Sequence, residues 1–242
     1  MKVKITLSYD GSKFYGFQFQ KNGTWSVANK LKKIFESLNI DPTFNCSGRT
    51  DRGVHATAQV IDINLPHFWI DELDKLKIFM NSKASPDIYI KKIEPVDDSF
   101  HSRYSAKRRK YRYFIKVGEP NPFLASYVLY IKKLDTKKIA TAISLFEGEH
   151  DFEYFKKSGS DVKSSKRVIH QAKFYKYKDF YIFSFEANGY LRSQIRMMVG
   201  FLLKISEGNL TKDDLLAQLN KERKISSYLV APNGLYLSKI IY

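Results

Sequence analysis

Ser47-Gly48-Arg49-Thr50-Asp51-Arg52-Gly53-Val54-His55-Ala56 sets one carboxylate among two arginines and a histidine, between two glycines. Glycines at 48 and 53 let the backbone turn sharply or approach a ligand closely. The alternation that follows, Val54, Ala56, Ala58 and Val60, reads as a strand leaving the turn, so Asp51 sits on a loop anchored by a strand. As residue types alone, the stretch fits either a surface turn with ion pairs or a catalytic carboxylate. The rest of the chain has to choose between them.

Around this stretch lie 242 residues, 43% of them hydrophobic, enough to bury a substantial core in one large domain or in two of roughly 100 to 140 residues. Lys and Arg number 41 against 25 Asp and Glu, a formal charge of +16. A field of that size draws in polyanions, and nucleic acid is the leading partner class. The basic residues are spread along the whole chain instead of lining one face of an amphipathic helix, which argues against an anionic membrane.

Cys46 is the only cysteine, which excludes an internal disulfide and a multi-cysteine zinc site and fits a reducing compartment. Asn45-Cys46-Ser47 matches a glycosylation acceptor, but no secretory signal accompanies it, and Cys46 reads as a small core residue before the turn. No apolar run approaches membrane-spanning length. A soluble cytoplasmic protein is the expectation.

Upstream of the central stretch, Val3, Ile5, Leu7 and Tyr9 mark one face of a strand that runs into Asp10-Gly11-Ser12-Lys13-Phe14-Tyr15-Gly16-Phe17-Gln18. Phe14, Tyr15 and Phe17 suit either base stacking or the core. Val27, Leu31, Ile34, Phe35 and Leu38 give an amphipathic helix with Ser26 as N-cap, and its Lys30, Lys32 and Lys33 read as a solvated face. Downstream, the strand ends near Leu65 before Pro66, a second helix is predicted over 70–81, and Ile88, Ile90 and Ile93 mark a further strand. This alternation predicts an α+β class with helices on one face of a sheet. The segment 95–100 reads as the connection, giving an N-terminal part over 1–100 and a C-terminal part over 101–242.

The second part opens on a strand that alternates Tyr111, Tyr113, Ile115 and Val117 with Lys110, Arg112 and Phe114, behind Arg103 and Arg109. Such interleaving suits phosphate contacts beside a stacking platform, and equally an edge strand with a charged outer face. Asp135 caps a helix carrying Ile139, Ile143 and Phe146, which Gly148 ends. His150 between Glu149 and Asp151 has no second ligand set at suitable spacing, so no metal site is expected. The polar run 156–166 is a loop, and 168–175 with 180–186 form a hairpin. Leu191, Ile195, Met198, Leu202 and Ile205 form a helical stripe bordered by Arg192 and Arg196. An arginine at such a border either snorkels to the surface or points into a cleft, where it favours the charged form of a carboxylate. Thr211 with Asp214 signals another N-cap, and 231–237 a turn into a last strand.

Tyr9-Asp10-Gly11 with Phe14, Gly16 and Gln18, then Gly48-Arg49-Thr50-Asp51 with Gly53-Val54-His55-Ala56, then Arg109 to Tyr113, Gly148 to Phe152, Leu191 to Arg196 and Ala231 to Leu237, resemble the tRNA pseudouridine synthases of the TruA family. The resemblance covers nearly the whole chain in the family's order. It implies two similar α+β halves, each a mostly antiparallel sheet with helices on one face, the sheets joined across a central basic cleft. It implies that Asp51 is the catalytic residue, that Tyr111 stacks on the uracil and assists proton transfer, and that Arg196 pairs with Asp51. Arg49 would flip the target nucleotide and fill its place; Arg103 and Arg109 are expected as further RNA contacts, and Arg52 as a phosphate or base contact of this chain's own. Neither cofactor nor metal is implied; the partners are tRNA, in its anticodon stem-loop, and a second copy of the chain in a homodimer. Phe17 stands where the family usually has Trp, Arg52 where a small residue is common, and Ala28 where Gln is frequent.

Two other classes compete with this reading. A non-catalytic RNA-binding module accounts for the charge but leaves Asp51 among arginines without a purpose. A nucleotide-phosphate enzyme lacks both a P-loop and a dinucleotide fingerprint. With Arg196 expected beside the carboxylate, His55 is left a structural role in the outgoing strand.

Overall fold

A computed structural model describes residues 1–20, 25–159 and 163–242. The chain forms two compact units, Met1–Lys107 with Tyr236–Tyr242, and Arg108–Leu235.

The first unit runs β1 (Lys2–Tyr9), α1 (Val27–Glu36), β2 (Phe44–Cys46), β3 (His55–Asn64), α2 (Leu73–Ala84) and β4 (Ile88–Pro95). β1 pairs antiparallel with β3 and with β4, and β2 pairs antiparallel with β3. Val3, Ile5, Leu7 and Tyr9 are buried while their neighbours are not, as the alternation requires. Ile90 lies opposite Leu7 and Ile93 opposite Ile5, because an irregularity in the β1–β4 ladder restores the face after an odd step. Ser26 Oγ accepts from the Asn29 N–H at 3.1 Å and starts α1, which buries Val27, Leu31, Ile34 and Phe35. Lys32 and Lys33 are exposed as expected, whereas Lys30 is buried and paired with Asp87 at 2.8 Å. α2 starts at Leu73 and not near Ile70, since His67–Trp69 folds as a separate short turn whose Trp69 Nε1 donates to the Leu38 carbonyl at 3.0 Å.

The second unit contains β5 (Arg108–Val117), β6 (Leu129–Ile131), α3 (Thr136–Ala142), β7 (Gly148–Asp151), β8 (Lys166–Tyr177), β9 (Phe180–Ala187), α4 (Gln194–Ser206) and α5 (Lys212–Leu219). β5, β9, β8 and β7 form an antiparallel order, and β6 pairs in parallel with β5. Asp135 accepts from the Lys137 and Lys138 N–H groups at 3.1 Å and caps α3. The chain then tightens into a turn over Ile143–Phe146 instead of continuing as a regular helix to Gly148. Phe146, Phe152, Phe155, Phe183, Phe185 and Phe201 are fully buried, with edge-to-face contacts such as Phe146 on Phe155 at 5.5 Å. α4 begins at Gln194 and not at Leu191, because Ser193 takes a left-handed φ of 61° that interrupts the helix. Leu191 is still buried, but Arg192 lies in the preceding turn and is not one helical turn from Arg196. Thr211 and Asp214 form a reciprocal capping box for α5. Of the loop expected over 156–166, residues 160–162 lie outside the described residues, and its other residues before Lys166 carry neither helix nor strand.

The last strand, β10 (Leu235–Ile241), returns to the first unit, where Tyr236 pairs with His55 and Leu237 with Ala56 in parallel to β3. The segment after β4 also stays with that unit beyond residue 100. Asp62, buried in β3, accepts from the Ser102 N–H at 2.7 Å, Tyr242 OH donates to the Ser102 carbonyl at 2.9 Å, and the Lys107 N–H donates to the Ile241 carbonyl at 2.8 Å. Among the described residues no helix is long and apolar enough to cross a membrane.

Candidate active site

Asp51 lies between β2 and β3 in a turn closed by the Val54 N–H, which donates to the Asp51 carbonyl at 3.1 Å, with Gly53 at a φ of 78°. Its neighbours are fastened one by one. Ser47 Oγ donates to Gln59 Oε1 at 2.7 Å, Gln59 Nε2 donates to the Gly48 carbonyl at 2.7 Å, and the Thr50 hydroxyl meets Tyr9 OH at 2.8 Å. The segment after β1 lies directly against this turn. Phe17 N–H donates to the Thr50 carbonyl at 3.1 Å. A Cβ on Gly16, whose φ is +95°, would stand 3.0 Å from the Thr50 oxygen and 3.3 Å from the Arg52 nitrogen. A Cβ on Gly11 would stand 2.1 Å from the Val54 oxygen, so only glycine permits the approach. Asp51 itself is half-buried, on a loop held backbone to backbone.

His55 is 2% exposed and stacks on Tyr236 at 4.6 Å. The Gly11 N–H donates to its Nδ1 at 3.0 Å, which puts the ring proton on Nε2. Asp10 Oδ1 lies 3.3 Å from the same nitrogen. The histidine binds the two segments together, in agreement with the structural role expected of it.

Three arginines accompany the carboxylate in this unit. Arg49 is exposed, and with the Gln18 amide turned to face it, Gln18 Oε1 accepts from both Nη1 and Nε at 3.1 Å. Arg52 is exposed and lies over the Tyr15 ring, 4.1 Å from its centre. Phe14 and Phe17 are buried, so of the three aromatics near this turn Tyr15 alone faces solvent. Arg103 is exposed in the turn after β4, 5.4 Å from the Tyr104 ring. Burial pushes the Cys46 thiol pKa up, while the charges of Arg49 and Arg103 pull against that rise. Sequence reading gave no role to Gln18 or Gln59. Gln18 lay in a quoted motif, and Gln59 carried no local signal at all.

The second unit holds Arg109, Tyr111 and Arg196. Tyr111 is 8% exposed on β5, its ring meeting Tyr190 edge-on at 5.2 Å, and Arg109 Nη1 donates to the Asn188 carbonyl at 2.8 Å. Arg196, half-buried on α4, donates from Nε to the Val230 carbonyl at 2.8 Å, which fixes the plane of its guanidinium. Gly200 lets this helix come close to the 228–230 segment, where an added Cβ would stand 2.5 Å from the Tyr228 oxygen. Tyr113, which shares a face of β5 with Tyr111, donates from its OH to the Ala231 carbonyl at 2.7 Å, next to the Val230 carbonyl that Arg196 holds; burial drives its pKa well above the phenol range and Arg196 opposes the rise. Among the described residues no three His, Cys, Asp or Glu side chains gather as metal ligands would, and His150 Nε2 meets the Glu147 carbonyl at 2.9 Å.

A fastened carboxylate flanked by exposed guanidinium groups suits chemistry on a phosphate-bearing substrate. The family model described as tRNA pseudouridine synthase matches residues 5–105 and again 142–242, in keeping with two similar halves. The tRNA pseudouridine synthase A of Campylobacter jejuni subsp. doylei is 40% identical over 242 residues, covering 100% of both chains. That of Helicobacter hepaticus is 39% identical over 243 residues, covering 99% of this chain and 98% of its own. The Geobacillus enzyme of the same name is 35% identical over 246 residues, covering 100% and 98%. Matched over its whole length by these relatives and twice by the family model, the chain belongs to the tRNA pseudouridine synthase family.

Proposed function

We propose that the chain isomerises uridines in the anticodon stem-loop of tRNA to pseudouridine, with Asp51 as nucleophile and the target nucleotide turned out of its stack. As a member of its family the chain is an isomerase acting on tRNA uridines. The reaction leaves the composition unchanged: the N1–C1′ bond of uridine breaks, a C5–C1′ bond forms, C5 loses a proton and N1 gains one. No atom needs an external oxidant or reductant, so the isomerisation calls for no redox cofactor. The Asp51 carboxylate bonds to C1′ as the N1–C1′ bond breaks, and after the base has turned C5 bonds to C1′ and the carboxylate leaves with its electron pair. Tyr111 stacks on the uracil and assists the proton transfer, and Arg196 is the carboxylate's partner.

The observation that carries this reading is the fastening of the Asp51 turn by Phe17, Tyr9, Gln59 and the close approach of Gly11 and Gly16. A group so held needs no reorganisation when the substrate arrives. A uridine inside a helical stem must leave the stack before chemistry can reach it. The Gln18 contact pre-orients Arg49 to occupy the space it leaves. Arg52, Arg103 and Arg109 contact the RNA, and the charge of +16 draws it in. The enzyme works in the cytoplasm as a homodimer in which one tRNA touches both subunits, as the family resemblance implies.

Pseudouridine mapping in tRNA from cells that lack the protein, restored with wild type or with D51N, tests the reading. Wild type returns pseudouridine to the anticodon stem-loop and D51N leaves it absent. Restoration by D51N, or loss confined to other tRNA regions, contradicts the reading.

A further inference from the structure

We propose that Arg52 and Tyr15 form a preset clamp for a backbone phosphate of the tRNA, beside the uridine that Asp51 addresses. The inference rests on the reading of Asp51 given above. The guanidinium carbon of Arg52 lies 4.1 Å from the centre of the Tyr15 ring, the spacing of a cation laid on a π face. Arg52 is exposed and Tyr15 is 51% exposed, so the pair is presented to solvent and not built into the core.

The backbones beneath both side chains are tied. Tyr15 N–H donates to the Trp25 carbonyl at 2.9 Å and Phe17 N–H to the Thr50 carbonyl at 3.1 Å. A Cβ on Gly16 would meet the Arg52 nitrogen at 3.3 Å, so ring and guanidinium hang from two strands of backbone in direct contact. A free surface arginine loses rotamer freedom when it binds, and one already laid on a ring has given up part of it beforehand.

Among the described residues, the Arg52 guanidinium has the Tyr15 ring as its partner, and no carboxylate or carbonyl accepts its N–H donors. Its carbon lies over the ring, and its N–H donors, which no acceptor takes among the described residues, match the paired oxygens of a phosphate. A base stacked on the opposite face would leave those donors unpaired, which is why phosphate is favoured over a base. Residue 52 directly follows Asp51, so the phosphate held belongs to the immediate surroundings of the target nucleotide.

The test measures tRNA affinity against salt concentration for the full chain as wild type, R52A, Y15L and Y15F, with melting temperatures to establish that each variant is folded. R52A should bind about tenfold more weakly. Its slope of log K against log salt should be shallower by about 0.7 to 0.9, the signature of one lost phosphate contact. Y15L keeps the charge and loses the platform, so binding should weaken about threefold at an unchanged slope. Y15F keeps the ring and should match wild type.

R52A with wild-type affinity and slope overturns the proposal. So does R52A with weaker binding at an unchanged slope, which indicates base stacking, and so does Y15L that binds as wild type. D51N, measured alongside, separates the two readings. If it keeps pseudouridine formation, the assignment of Asp51 fails, whereas the clamp stands or falls on binding alone.

Discussion

Replacing Gly11 by alanine should disable the enzyme without touching any residue assigned to the chemistry. The added Cβ would stand 2.1 Å from the Val54 oxygen, 2.3 Å from the Val54 carbonyl carbon and 2.8 Å from the His55 nitrogen, all of them backbone atoms that no rotamer change can move. Relief requires the two segments to part by about 1 Å. Gly11 N–H also holds His55 Nδ1 at 3.0 Å, and Gly16, five residues on, packs against Thr50 and Arg52, so the parting displaces the Asp51 turn. Overpacking of this kind costs about 1–3 kcal/mol. That lowers the melting temperature by about 2–4 °C for each kcal/mol in a chain of this size. A displacement of about 1 Å at the reacting group costs about a hundredfold in rate. If binding is driven by the charge of +16 over many phosphates, affinity should change only a few-fold. The assay is single-turnover pseudouridine formation at saturating tRNA, with affinity and melting measured separately. Gly118→Ala serves as control: nothing lies within 4 Å of its Cβ, but its φ is +126°, so it carries backbone strain without a loss of turnover. G11A with a wild-type single-turnover rate would refute the argument that this segment places Asp51.

Arg196→Met should lower kcat at least about tenfold with little change in tRNA affinity, and Arg196→Lys should recover only part, since it keeps the charge but loses the Nε bond to Val230. Equal losses in kcat and affinity would make Arg196 an RNA contact instead. Burial pushes the Asp62 pKa up, but hydrogen bonds from Ser102 and Asn45, with Lys2 at 3.7 Å, outweigh it and leave the pKa below its ordinary value. A carboxylate depressed in this way contributes stability in full above about pH 4 and loses it as pH falls through the folded-state value. Asp62→Asn should therefore lower the melting temperature at neutral pH and flatten its fall below about pH 4. Parallel acid limbs in the two proteins would show that Asp62 contributes nothing of the kind.

What the sequence disclosed was local. The alternation of β1, the stripe and Ser26 cap of α1, the Asp135 cap and the Thr211–Asp214 box all depend on residues a few positions apart, and all are present. What it concealed depended on distant partners or on one backbone angle. Lys30 reads as a surface lysine until Asp87 is brought beneath it. Leu191 and Arg192 continue a helical pattern that the left-handed Ser193 cuts off. The final strand follows the second unit along the chain but pairs with His55 and Ala56 of the first, which no periodicity reveals. The site divides in the same way. The density of Gly48 to His55 marked the Asp51 turn, whereas the hold of Gln18 on Arg49 and of Tyr15 on Arg52 joins two loops remote in sequence.

If Asp51 performs the chemistry, single-turnover conversion of a purified tRNA transcript should fail with D51N. D51N should bind tRNA as wild type does and form pseudouridine at a rate lower by roughly 10⁴-fold or more. Conversion by D51N at the wild-type rate would contradict that role for Asp51.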